Sequence, residues 1–342
     1  MGVEIIIGSQ SHSQSTVNMN SNIIEISPAP YDPDLEKAKA KTKKTNKPFG
    51  EIIVGPRHVM FPKPYAEWAD KILNMEIRKD DIWIISIPRS GTTWTEEMVW
   101  LLCNNLNYDA AKGSILHKRF MYLELAAMMG DKKLADEFWT VDKVMNAESP
   151  RFIKTHVSLE LLPKQLWTVK PKIIYVYRNP KDVVISQYHF VCMINGYEGT
   201  FEEWAEIFIR DECIYNPFWT HVLDFWEFQK THDVLFLTYE KMKEDLVSVV
   251  HKVADYLGTS LTSEQAKKLT QHLDYNSMKH NAAVNQEKQL TAFKIVEKPE
   301  DANFIRKGCS GQWKEKMTPE MIVRFDNWSK QYIAGTDFNF YE

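Results

Sequence analysis

The stretch Ile87-Pro88-Arg89-Ser90-Gly91-Thr92-Thr93-Trp94 leaves a short apolar run and opens a stretch of helical pattern. An anion is well received at such a strand-to-helix exit. Unpaired backbone N–H groups and the positive end of the helix dipole face it together. Gly91 lets the backbone come close, and Ser90, Thr92 and Thr93 add hydroxyl donors. The stretch is near a nucleotide P-loop without being one. That pattern, G-x-x-x-x-G-K-[ST], wants Lys after its second Gly and another Gly five positions earlier. Here those places hold Thr92 and Ser86. The cation comes earlier, at Arg89, which suits a group carrying less charge in transit than a phosphoryl. A sulfonate, with its single negative charge, can be moved without a metal ion.

Three further segments carry chemistry, two of them at the ends of apolar runs. In Ile153-Lys154-Thr155-His156, His156 is a base of the kind that a hydroxyl nucleophile needs near neutral pH. A His at a strand end is also often structural, so alone it decides nothing. The segment from Tyr177 through Arg178-Asn179-Pro180-Lys181-Asp182 to Ser186 lies at another strand-to-helix exit. Arg forks onto phosphate in bidentate fashion and Ser is a compact donor, although a helix cap with a surface ion pair would use similar residues. In Phe304-Ile305-Arg306-Lys307-Gly308, two adjacent cations before a glycine form a workable anion nest.

These segments need a frame. Ile82–Ile87, Phe152–Lys154, Ile173–Tyr177 and Val234–Tyr239 are short runs that stay apolar nearly throughout. Strands apolar on both faces suit a central parallel sheet covered by helices on both sides. Trp94–Leu106 and Phe201–Ile209 read as helices between them. The alternation predicts an α/β fold, with the P-loop-like loop following a central strand. Residues 48–342 show no repeat and no linker, which predicts one domain. Residues 1–47 differ: a polar run Gly8–Thr16 is followed by Lys37, Lys39, Lys41, Lys43, Lys44 and Lys47 among small residues. That composition predicts a mobile or surface-draped N-terminal extension with solvated lysines. Without interleaved aromatics it is a poor nucleic-acid arm.

The 342 residues, 44% hydrophobic and 26% charged, have the composition of a water-soluble globular protein with a sizeable core. A net charge of −4 argues against a surface that as a whole seeks nucleic acid or anionic membrane. Any bound anion must therefore meet a local cluster of cations. Cys103, Cys192, Cys213 and Cys309 are scattered, which fits free thiols better than a disulfide framework or zinc site. No run approaches the roughly 18 apolar residues of a membrane span. The N-terminus lacks a secretory pattern, and Ile6 stands where myristoylation wants Ser or Thr. The expected location is the cytoplasm.

Pro88–Trp94 is similar to the Pro-Lys-Ser-Gly-Thr-Thr-Trp loop of the cytosolic sulfotransferases. The other segments follow in that family's order, resembling its Lys-Thr-His, Arg-Asn-x-Lys-Asp-x-x-x-Ser and Arg-Lys-Gly-x-x-Gly-Asp-Trp-Lys. Together they cover roughly residues 60 to 340. The resemblance implies transfer of a sulfonate from PAPS (3′-phosphoadenosine-5′-phosphosulfate), leaving PAP and using no metal. The acceptor would be a hydroxyl of a small lipophilic molecule, such as a phenol, steroid or retinoid-like alcohol. By the same resemblance Arg89, Ser90, Gly91, Thr92 and Thr93 bind the 5′-phosphosulfate. Arg178, Ser186, Arg306, Lys307 and Gly308 take the 3′-phosphate, and Trp94, Tyr239, Tyr275, Met278 and Phe304 the rest of the nucleotide. His156 becomes the general base, with Lys154 and Arg89 opposing charge. Tyr65, Tyr122 and Phe190 stand where the family places the aromatic gates of its acceptor pocket, though aromatics there serve a core equally well.

Departures from the family pattern carry information too. Arg89 stands where most members have Lys; a guanidinium supplies charge and hydrogen bonds but hardly a proton. An invertebrate branch of the family that includes retinol dehydratase shares this Arg and a long N-terminal extension. Its members sulfonate an allylic alcohol, whose ester then eliminates. His272-Leu273-Asp274-Tyr275-Asn276-Ser277-Met278-Lys279 resembles His-Thr-Ser-Phe-x-x-Met-Lys, but Leu273 and Asp274 lack the expected hydroxyls. The family's dimer motif, Lys-x-x-x-Thr-Val-x-x-x-Glu, here reads Lys314, Thr318, Pro319 and Val323, so a homodimer would need a changed interface. Two other functions stay open. A P-loop small-molecule kinase lacks its Gly-Lys pair, and an inactive lipophile-binding protein would have no use for Lys154 with His156.

Overall fold

The structure, a computed structural model, describes residues 24–42, 50–128, 139–286 and 303–339. The polar run Gly8–Thr16 and Lys43, Lys44 and Lys47 lie outside the described residues. Among the described residues eight strands are formed: β1 (Ile26–Pro28), β2 (Glu51–Val54), β3 (Val59–Pro62), β4 (Ile82–Ser86), β5 (Met121–Tyr122), β6 (Phe152–Thr155), β7 (Lys172–Tyr177) and β8 (Val234–Thr238). The last five make one parallel sheet in the order β5-β6-β4-β7-β8. Alternate residues serve opposite faces, as a pleated strand requires. Trp83, Ile85, Ile173, Tyr175 and Tyr177 enter one apolar cluster; Ile84, Ile174 and Val176 enter the other. Both faces are thus covered, which is why these strands read apolar throughout.

Register decides where the chemistry falls. Ile85 pairs with Thr155 on one side and with Tyr175 on the other, while Tyr177 pairs with Thr238. The carboxyl ends of four strands therefore stand side by side, and the loops leaving them carry Arg89, His156, Arg178 and Tyr239. In open parallel sheets, ligands bind at that edge. The opposite end is pinned by Arg151, wholly buried, which donates Nε to Asp81 Oδ1 at 2.7 Å and another bond to the Glu76 carbonyl.

The helix expected at Trp94–Leu106 is Thr92–Cys103, ending where Asn105 and Leu106 turn left-handed. Phe201–Ile209 is helical as expected, begun by a reciprocal capping box of Thr200 and Glu203. A second sheet, β1-β2-β3, is antiparallel and was not anticipated. Part of it lies on the N-terminal side of residue 47. After β1, Asp32 accepts from the N–H groups of Asp34 and Leu35 and starts the helix Pro33–Lys39, which buries Leu35 and Ala38. Lys39, expected in solvent, is instead largely buried, with Nζ 2.7 Å from both Glu51 and Glu212. Two carboxylates offset the desolvation that a lone ammonium there would suffer.

Candidate active site

The loop after β4 bends through two left-handed residues, Arg89 at φ 75° and Gly91 at φ 106°. At Gly91 the tightness is spatial as well, since a Cβ would lie 2.9 Å from Tyr239 Cδ2. No side chain caps the helix that follows, so its first N–H groups stay open to a ligand. Ser86 Oγ lies 2.8 Å from Thr92 Oγ1 and ties the strand end to the first turn. Ser90 and Thr92 are buried here, and Thr93 is half-buried.

Arg89 lies between two aromatic rings, its guanidinium carbon 4.6 Å from the centre of Phe304 and 5.0 Å from that of Phe190. It donates Nε to Ser186 Oγ at 3.1 Å and Nη2 to the Phe304 carbonyl at 2.7 Å. Arg178 lies over the Tyr239 ring at 4.1 Å and donates to the carbonyls of Arg89 and Cys309. Its Nε is buried without a partner among the described residues. Arg306 donates to Gln312 at 2.6 Å and sits on a backbone held by the Tyr275 hydroxyl. A Cβ at Gly308 would meet that tyrosine at 2.3 Å. Asp182 draws the segment in by accepting from Gly311 N–H at 2.6 Å. Burial, then repulsion from Arg178 and Arg306, pulls Arg89 down to about 10. Guanidinium groups crowded together in this way form a site shaped for a polyanion. Lys307 is exposed at the rim.

Trp94 packs edge-on against Tyr239 at 5.7 Å and donates Nε1 to the Leu273 carbonyl at 2.9 Å. The two departures from the His-Thr-Ser pattern thus have local uses. Leu273 contributes its backbone and buries its side chain, and Asp274 caps the helix Tyr275–His280. Met278 is buried beside them in the second apolar cluster.

His156 follows directly on β6. Its Nδ1 lies 2.7 Å from the Ser86 carbonyl oxygen, which only accepts, so Nδ1 carries the proton and Nε2 is left bare. Its backbone is fixed at both ends: N–H donates to Glu124 Oε1 at 2.7 Å, and the carbonyl accepts from His221 Nε2 at 3.1 Å. Burial and then the nearby Lys154 charge push the imidazole down to about 3. The rings of Tyr122 and Tyr215 meet it edge-on at 5.5 and 5.4 Å. Their hydroxyls lie 3.0 Å apart. Lys154 lies over the Tyr122 ring at 4.6 Å, with Nζ 3.2 Å from Glu96 Oε1.

Tyr65 joins this wall indirectly, stacked at 3.7 Å on Phe61, which in turn meets Tyr215. Phe190 does not; it belongs with Arg89 and Phe304 at the donor loop. Glu96, Glu124 and Tyr215 were missed in the sequence, and Asp182 was read only as part of its motif. Only the buried pair Glu96-Glu97, set in an otherwise apolar helix, left a readable trace there. Among the described residues no three His, Cys, Asp or Glu gather as metal ligands would.

A family model for the sulfotransferase domain matches residues 79–337. The chain belongs to the sulfotransferase family. This sulfotransferase is 37% identical over 301 residues to the luciferin sulfotransferase of Photinus pyralis, covering 84% of the present chain and 80% of that protein. With sulfotransferase 1B1 of Mus musculus the figure is 34% over 285 residues, 82% and 92% of the two chains. Among solved structures, retinol dehydratase in complex with retinol and PAP superposes with a TM-score of 0.84 at 28% identity, covering 93% of this chain and 98% of that one. Mouse sulfotransferase SULT7A1 with PAP gives 0.63 at 26% identity, with 82% and 93% covered. The sulfotransferase is a PAPS-dependent enzyme, with the central parallel sheet and flanking helices that its sequence implied. Its own residues fit the donor: the unpartnered Arg178 Nε and the crowded guanidinium groups await an anion, and Gly91 clears a path to the backbone.

Proposed function

We propose that this sulfotransferase moves the sulfonate of PAPS onto the hydroxyl of a small lipophilic acceptor, with His156 as general base. The observation that carries the reading is the 2.7 Å bond from His156 Nδ1 to Ser86, which leaves a neutral, unprotonated Nε2 at the aromatic wall. PAPS, when bound, supplies an activated sulfonate. The loop Arg89–Thr93 and Trp94 hold its 5′ end; Arg178, Ser186, Arg306, Lys307 and Gly308 hold its 3′-phosphate. Nε2 takes the acceptor's proton as its oxygen attacks, while the charges of Lys154 and Arg89 oppose the negative charge that builds up. Tyr65, Tyr122 and Tyr215 with Phe61 form the apolar wall for the acceptor. Support for that class comes from the retinol and androsterone bound by retinol dehydratase and from the firefly relative named for luciferin. The cytoplasm is the location we propose; four free cysteines suit it, and among the described residues no helix is long and apolar enough to cross a membrane.

The test is turnover of labelled PAPS on retinol, androsterone and 2-naphthol by the wild type and His156→Ala. The expected result is transfer to at least one of them, lost by about 10²–10⁴ in the variant, with PAP affinity kept within a few-fold. Near-normal turnover by His156→Ala would remove His156 from the mechanism.

A further inference from the structure

The helix Thr92–Cys103 carries two adjacent acids into the interior, and both are wholly buried. Glu97 is engaged by the fold, taking Arg119 at 2.7 Å and His272 Nε2 at 2.8 Å. Glu96 is held differently. Its Oε1 lies 3.2 Å from Lys154 Nζ, and among the described residues neither carboxylate oxygen has any other polar partner. A buried carboxylate without hydrogen bonds is costly unless a charge faces it.

The charged and titratable groups around this pair come from every neighbouring element. Glu97 shares its helix; His117 and Arg119 come from the helix Leu116–Arg119; Tyr122 and Glu124 come from β5 and the turn after it; His156 follows β6. Arg119 is committed to Glu97. Burial, followed by the Lys154 charge, keeps His117 and His156 neutral. That leaves Lys154 as the direct counter-charge of Glu96, and its ammonium rests on the face of Tyr122.

We propose that Glu96 is a positioning residue for the reaction: paired with Lys154 inside an aromatic enclosure, it holds that ammonium beside His156. The proposal rests on the reading that Lys154 opposes charge on the sulfonate. Glu96 makes a single contact with the ammonium, which leaves the other N–H groups of Lys154 free to meet a second anion. Without Glu96, a buried ammonium would lie among Arg119, His117 and His156 with no direct opposing charge, which favours the neutral amine.

The experiment follows the Lys154 side chain in PAP-free protein carrying 13C at lysine Cε, with its resonance assigned through Lys154→Met. In the wild type this signal should keep its charged position from about pH 7 to 9, whereas Glu96→Gln should show a deprotonation step in that window. With PAPS and 2-naphthol, turnover by Glu96→Gln should fall about tenfold across the same window while the wild type stays flat. Glu96→Asp keeps the charge one methylene further away and should give a smaller step; it supplies the test alone if the Gln variant does not fold. A charged signal and a flat rate profile in both variants would overturn the proposal. A normal rate for Lys154→Met would remove Lys154 from the reaction and Glu96 with it, whereas a slow Lys154→Met beside unaltered Glu96 variants would remove Glu96 alone.

Discussion

Arg89 and Ser186 meet at 3.1 Å, Nε to Oγ, so the loop after β4 and the helix Pro180–Asn195 share a bond at the donor end of the site. By resemblance, Arg89 binds the 5′-phosphosulfate and opposes charge together with Lys154. In the structure its guanidinium lies between the rings of Phe190 and Phe304 and donates to the Phe304 carbonyl.

Arg89 acts through charge in this reading. Arg89→Met keeps a similar length without charge and should lose most of kcat/KM, since preorganised charge commonly contributes a few kcal/mol to a transition state. Arg89→Lys should keep substantial activity, because an ammonium can meet the same oxygens while losing the planar fork. Equal activity in Met and wild type, or an equal loss in Met and Lys, would show that residue 89 only shapes the loop.

Arg178 should distinguish donors. Its buried Nε has no partner among the described residues, and both Nη groups are engaged by carbonyls. Arg178→Ala is expected to weaken PAPS by about 1.5–3 kcal/mol, the range for a charge-assisted bond. Adenosine-5′-phosphosulfate, which lacks the 3′-phosphate, should be weakened much less. Calorimetric titration of the two ligands reads the difference, and an equal loss would place the clamp elsewhere.

Gly91→Ala should raise the Kd for PAP, because the new Cβ sits at a left-handed φ and 2.9 Å from Tyr239 Cδ2. Removing the ring should relieve the spatial part. In a Tyr239→Ala background the same substitution is expected to cost less, so the two changes will not add. Strict additivity would show that backbone strain alone is responsible.

Acid should act on His156 through folding. Burial first, then Lys154, lowers its folded value to about 3, whereas the unfolded chain takes the proton near 6.5. The unfolded state therefore binds the proton first as pH falls. The stability this group contributes is full above about pH 6.5 and is lost as pH drops toward 3. Urea unfolding of the wild type should weaken across that window, and His156→Asn should weaken less steeply. Parallel pH curves for the two proteins would refute the assignment.

Much of the frame was legible because burial on both faces leaves an unbroken apolar run, as in β4, β7 and β8. β5 is only two residues long and carries no period to read, while β1 lies in a stretch that composition marks as polar. The donor loop was legible because its chemistry is local: a strand end, a glycine and a helix start in eight residues. The aromatic wall beside His156 was legible only at Tyr65 and Tyr122, because its pieces come from separate places. Tyr65 reaches it through Phe61, and Tyr215 arrives on a turn before the helix Phe218–Phe228. Glu124 contacts a residue 32 positions away, and no spacing rule marks such a pair. Lys39 misled for the same reason: its second carboxylate is 173 residues further on.

That separation orders events during synthesis. Glu51 follows Lys39 out of the ribosome almost at once, but at about 5–20 residues per second Glu212 is made roughly ten to thirty seconds later. Until then the helix Pro33–Lys39 has one of its two carboxylate anchors and no Glu203 to hold Lys41. The earliest-made part of the described chain is thus among the last to be locked in place, and its docking waits on translation of the middle of the protein.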